Sequence, residues 1–223
     1  MPRRHGAHLQ SEVYASCRLF HHALSQPRDS RNQGDMMPSE LLRTIEATRV
    51  ARFSQLRPFS LAFVDSLLPE GRKKNLKVIG RGVVENAQMQ PPIHDDHGFT
   101  VSYIVVPPGG GAGLHAHKTH EVFIPINGEL TVLIGDEKEE LLLKPLDTCS
   151  VPQGVMRGFR NHNDFELIVL AMVGGHSGGG SVTWHEEVLS RAAAESGLAV
   201  DDQGNLKKLP NFRMPSDIEG SVI

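Results

Sequence analysis

The chain has 223 residues, a formal charge of −3 and two cysteines, Cys17 and Cys149. That length supports a sizeable core without disulfides, and two distant cysteines form no disulfide framework and suit a reducing, cytoplasmic setting. No basic stripe invites nucleic acid and no apolar run approaches a membrane span, so neither is expected as a partner.

Residues 1–36 carry Arg3, Arg4, Arg18, Arg28 and Arg31, few acids and no sustained apolar run. Without an apolar h-region this is no secretory signal. It reads as a disordered extension, with a weaker resemblance to an arginine-rich transit peptide. Residues 37–75 read as a helix and an arm. Pro38-Ser39-Glu40 opens a helical pattern, with Leu41, Leu42, Ile45 and Thr48 at helical spacing, that runs through Arg52. Phe59–Leu68 reads as an extended apolar arm without an internal partner, and so as the basis of a homodimer.

From residue 76 to 185 the pattern is one of short strands. Leu76–Val84 and Phe99–Val106 are rich in β-branched and aromatic residues. Pro107, Pro108 and the glycines from Gly109 to Gly113 are expected to break the second of these. Thr119–Ile126 and Glu129–Ile134 are expected to form a hairpin about Asn127-Gly128, a pair that tolerates positive φ. Gly135-Asp136 turns the chain into Glu140–Leu143, and Pro145-Leu146-Asp147 into Thr148–Val151. Arg157–Asn161 and Phe165–Val173 follow, then a glycine loop. This spacing predicts an all-β fold, a barrel or sandwich. Residues 186–223 read as a helix over Glu186–Ser196, with Val188, Leu189 and Ala192 on one face and Gly197 as its stop, and then a surface tail.

The chemistry concentrates in Gly109-x5-His115-x-His117-x3-Glu121-x6-Gly128. His115, His117 and Glu121 share one strand parity, so a regular strand would point all three inward. Two imidazoles and a carboxylate suit a borderline divalent metal such as Fe, Mn, Ni or Zn. His120 has the opposite parity and should face out. His94, His97, His162 and His176 read as loop histidines, with His162 the best reserve ligand. Phe123, Phe159, Met172 and Trp184 are candidates to line an apolar pocket.

This stretch resembles the first signature motif of the cupin superfamily, Gly-x5-His-x-His-x3/4-Glu-x6-Gly, at every defined position. The second cupin motif, Gly-x5-Pro-x-Gly-x2-His-x3-Asn, resembles Leu146-x5-Pro152-x-Gly154-x2-Arg157-x3-Asn161. The resemblance implies a double-stranded β-helix, or jelly-roll barrel, over residues 76–185, with flanking helical segments. It implies His115, His117 and Glu121 as metal ligands, and it puts Arg157 where the family has its fourth ligand, a histidine.

Arginine has no lone pair to donate. Like charges about 4 Å apart repel by about 4 kcal/mol at an effective dielectric of about 20, and a dication roughly doubles that. Arg157 therefore swings away from a metal, reaches an anionic substrate, or replaces the metal and pairs with Glu121. The resemblance implies a metal-dependent oxygenase of a small organic, possibly anionic, substrate, with Arg157 and Glu121 in the catalytic set. The alternative is a non-catalytic cupin that binds a small molecule without metal.

Overall fold

The computed structural model describes residues 38–175, 181–216 and 218. The expected disordered extension, residues 1–36, and His176 lie outside them. The chain divides into two compact units, Met1–Arg43 and Thr44–Ile223. Of the first, only residues 38–43 are described. They open helix α1 (Glu40–Arg49), where the Ser39 hydroxyl accepts the Leu42 N–H at 3.1 Å and so satisfies one of the helix's free donors.

The second unit is built on two antiparallel sheets. Its strands are β1 (Lys74–Ile79), β2 (Phe99–Val106), β3 (Gly111–Ala116), β4 (Glu121–Pro125), β5 (Leu130–Ile134), β6 (Glu139–Leu143), β7 (Cys149–Val151), β8 (Arg157–Arg160), β9 (Leu167–Gly174) and β10 (Thr183–Trp184). The first sheet runs β1-β2-β9-β4-β7 and the second β10-β3-β8-β5-β6. Val106, Phe123, Leu130, Val132, Phe159 and Leu167 are buried together in the main core, each contributing about 1.5–3 kcal/mol of burial. Helix α2 (Glu186–Arg191) continues as a π-helical turn, Ala192–Ser196, and ends at Gly197 in the left-handed region. Val188 and Ala192 are buried as expected of that face, whereas Leu189 is exposed.

Several expectations are corrected. The jelly-roll barrel is not formed: the two five-stranded sheets share no hydrogen-bonded ladder. The Asn127-Gly128 hairpin is absent, because β4 and β5 belong to different sheets and the turn carries the chain across from one to the other. Neither residue takes a positive φ. Asn127 instead accepts the Ile168 N–H through Oδ1 and donates to the Glu166 carbonyl.

The strand break expected at Pro107–Gly113 is there, β2 ending at Val106, but the last glycines of the run, from Gly111, already belong to β3. A Cβ at Gly111 would lie 1.9 Å from the Phe159 carbonyl oxygen, and one at Gly158 would lie 2.7 Å from that of Ala112. The glycines are there because two backbones approach too closely for a side chain.

The apolar arm also has a partner within its own chain. Leu61, Val64, Leu67 and Leu68 bury against Trp184, Val188, Ala192, Leu198 and Leu206. The argument for a homodimer that rested on an unpartnered arm therefore falls. The expected surface tail supplies part of this second core through a hairpin of β11 (Leu198–Val200) and β12 (Leu206–Lys208).

Candidate metal centre

His115 lies on β3, His117 one residue beyond its end, and Glu121 opens β4 in the other sheet. The shared-parity argument therefore gives the right convergence for the wrong reason. No single strand carries the three residues. The chain crosses between sheets over residues 117–120, and the facing sheets bring the side chains together. Their ligand atoms all lie within 4.8 Å of one another, and all three residues are buried. Ligands at about 2.0–2.2 Å from one ion sit at most about 4.4 Å apart, so a small side-chain adjustment closes the set.

Hydrogen bonding prepares His115 as a ligand. Its Nδ1 lies 2.8 Å from the Gly113 carbonyl oxygen, which can only accept, so Nδ1 carries the proton and Nε2 keeps its lone pair. Burial, reinforced by neighbouring His117, holds the His115 imidazole down to about 3 and so neutral. His117 presents Nε2 to Glu121 Oε2 at 3.3 Å, while its buried Nδ1 has no hydrogen-bond partner. Burial alone would raise Glu121. The hydrogen bond from His117 and the surrounding positive charge outweigh it and bring the carboxyl down to about 2. The donor set fits a divalent ion: two imidazoles and an ionised carboxylate.

Arg157 is fully buried opposite His115 in the β3–β8 pairing. Its Nε donates to Glu121 Oε2 at 3.1 Å, Nη1 to the Val155 carbonyl at 2.8 Å and Nη2 to the Thr119 carbonyl at 3.4 Å. It does not line the cavity beside the triad. Of the three expected placements, this geometry is the pairing with Glu121.

The triad opens on a cavity of about 60 Å³ walled by Ile104, Ala112, Phe159 and Trp184. Trp184 pairs with His115 across β10 and β3, and their rings lie 5.2 Å apart. Its indole Nε1 donates to Glu85 at 2.6 Å. Of the other expected pocket residues, Phe123 lies in the main core, and Met172 is absent from the cavity wall. His94, His97, His120 and His162 are exposed, so His162 is no reserve ligand and His120 faces out as expected.

The strand expected at Leu76–Val84 is shifted to β1, Lys74–Ile79, and its cavity face was missed. Lys73, Asn75 and Lys77 all line the cavity. Their spacing of two was the available signal, but Leu76 and Val78 alternate with them, and alternation alone does not say which face turns inward. Those two apolar residues instead pack under Ala51 and Leu56 on the outside of the sheet. Lys73 is neutralised by Asp65 at 2.8 and 2.9 Å, and Asp65 also accepts the Gly113 N–H two residues before His115.

Residues 102–173 match the family model of the cupin domain. Within that matched stretch His115, His117 and Glu121 form a cluster able to coordinate a divalent metal.

Some solved structures are similar to parts of the chain. The polyketide cyclase RemF from Streptomyces resistomycificus is 14% identical, over 61% of this chain and 84% of its own, with a TM-score of 0.47. An RmlC-like cupin from Shewanella frigidimarina is 16% identical, over 57% and 90%, with a TM-score of 0.40. A protein described as a predicted oxalate decarboxylase, from Thermotoga maritima, is 18% identical, over 56% and 98%, with a TM-score of 0.42. At these scores none of the likenesses bears on a reaction. No curated protein matches the chain in sequence. Among the described residues no helix is long and apolar enough to cross a membrane.

Proposed function

We propose that this protein is a metal-dependent oxygenase acting on a small organic substrate. The observation that carries the reading is the convergence of His115, His117 and Glu121 on one cavity. A two-histidine, one-carboxylate set with open positions is the ligand pattern of non-haem iron(II) oxygenases. A bound divalent ion would supply Lewis acidity and open positions for an oxygen-bearing substrate, such as an enol, a diketone or a catechol-like compound, and for dioxygen.

The chain's own residues have separate tasks. Gly113 fixes the His115 tautomer. Phe159 and Trp184 exclude water. Arg157 orients Glu121 and keeps it ionised, which makes it a positioning residue. Two further features support the second-motif alignment that puts Arg157 at a ligand position. Leu146 holds φ +70° and Gly154 φ +75°, where that motif has glycines.

The second reading, a metal-free cupin that binds a small molecule, is favoured by one observation: Glu121 is already charge-paired with Arg157. Metal analysis of untagged protein separates the two, followed by dioxygen uptake after iron(II) loading. Near-stoichiometric metal lost on His117→Gln supports the enzyme. Protein that stays metal-free after incubation with iron, manganese, nickel and zinc overturns it.

A further inference from the structure

The wall facing the triad is polar in a way the metal site does not explain. Asn75, Lys77 and, as the β2 partner of Lys77, Ser102 turn into the same cavity. Asn75 Nδ2 is buried and has no hydrogen-bond partner. Lys77 is 8% exposed, and its ammonium has one long hydrogen bond, 3.4 Å to the Val83 carbonyl. Among the described residues no carboxylate forms an ion pair with it. Lys73 differs, being saturated by Asp65 and the Gly71 carbonyl.

Buried donors without acceptors are costly to keep, so an acceptor that belongs to neither the fold nor the metal is missing from this wall. The charges agree. Arg157 cancels Glu121 and Asp65 cancels Lys73, which leaves Lys77, and any bound dication, without a counter-ion. The cavity of about 60 Å³ has room for about four to six water-sized groups, at about 10–15 Å³ each.

We propose that Lys77 and Asn75 form an anion receptor that grips the carboxylate, or an equivalent enolate, of a small organic acid whose other end faces His115, His117 and Glu121. The substrate class, a short-chain acid of a few heavy atoms, rests on the enzyme reading above. The receptor itself does not. Burial brings the Lys77 ammonium down to about 8 against the opposing pull of Glu121, so it remains a cation at neutral pH.

The test uses the full chain and two probes of one shape, acetate and acetamide, titrated calorimetrically into chelator-treated and zinc-loaded protein. Wild type is expected to bind acetate and not acetamide in both forms. Lys77→Met should weaken acetate at least tenfold and Asn75→Leu severalfold, with zinc content unchanged. Should Lys77→Met fail to fold, Lys77→Gln serves in its place. Equal binding of the two probes, no acetate binding up to about 50 mM, weaker than the millimolar range worth about 4 kcal/mol, or an unchanged affinity in the Lys77 variant would overturn the receptor while leaving the metal site intact. Lys77-dependent acetate binding in a protein that takes up no metal would support the receptor and remove the enzyme reading alone.

Discussion

Arg157 and His117 approach the same carboxylate oxygen, Glu121 Oε2, at 3.1 and 3.3 Å. One oxygen thus serves as the counter-charge of a buried guanidinium and as a prospective metal ligand. The two roles compete, and the competition is measurable.

Removing the guanidinium should trade stability for metal affinity. Arg157→Met leaves a buried carboxylate unpaired, which costs about 3–5 kcal/mol, and strips donors from the Val155 and Thr119 carbonyls. It also removes a positive charge beside the ion. Metal affinity should rise at least tenfold, one decade being about 1.4 kcal/mol, and saturating metal should restore part of the lost melting temperature. Denaturant melts of the metal-free and loaded variant, beside zinc titrations, test this. An unchanged affinity would mean that Arg157 is electrically remote from the site.

Metal entry should be visible through Trp184, the chain's one tryptophan, whose ring lies 5.2 Å from that of His115. Paramagnetic Ni(II) or Co(II) should quench its fluorescence saturably, and diamagnetic Zn(II) much less. His117→Gln should abolish the quenching. Metal at about 100 times its dissociation constant should add about 2.7 kcal/mol of stability, reversed by chelator. Quenching that survives His117→Gln would place the metal elsewhere.

The sequence made the ligands legible because their spacing is a property of the chain. It did not reveal how they meet, because that depends on which sheet each strand joins. Asn127-Gly128 satisfies the local rule for a hairpin, yet Asn127 bonds to Glu166 and Ile168, and such a long-range partner overrides local preference. β1 shows the second kind of failure. Alternation fixes which residues share a face, and only the packing of Ala51 and Leu56 on the outside decides which face is the core. Lys77 was hidden by that ambiguity. Gly111 shows a third: glycine signals a break in isolation, and a strand where another backbone comes too close for a side chain.

Leu146 offers a stability test of the second motif. It is 71% exposed and sits at φ +70°, a conformation that costs a side-chain-bearing residue about 1–2 kcal/mol. Leu146→Gly relieves that strain and forfeits little burial, but the freer unfolded chain takes back about 0.4–1 kcal/mol. The net expectation is a gain of about 0.5–1 kcal/mol, or roughly 2 °C for a chain of this size. A loss of stability would show that the exposed leucine makes contacts that outweigh its backbone strain.

Lys77 should carry a pH signature. Burial lowers its folded-state value to about 8 from the ordinary 10.5. Between those values the unfolded chain binds more protons than the folded one, so stability rises with pH across that window. Below pH 8 the folded protein bears the full penalty of a buried ammonium, roughly 3 kcal/mol at about 1.4 kcal/mol per pH unit. Lys77→Met removes the charge and keeps most of the volume. In buffers without small carboxylates the variant should therefore be the more stable protein at pH 7, with an advantage that shrinks toward zero as pH rises from 8 to 10.5. A residue kept for packing would show the opposite sign, a loss on substitution at every pH. An advantage that stays constant up to pH 10.5 would mean that the ammonium titrates at its ordinary value in the folded protein, and the balance of charge around the triad would have to be redrawn without it.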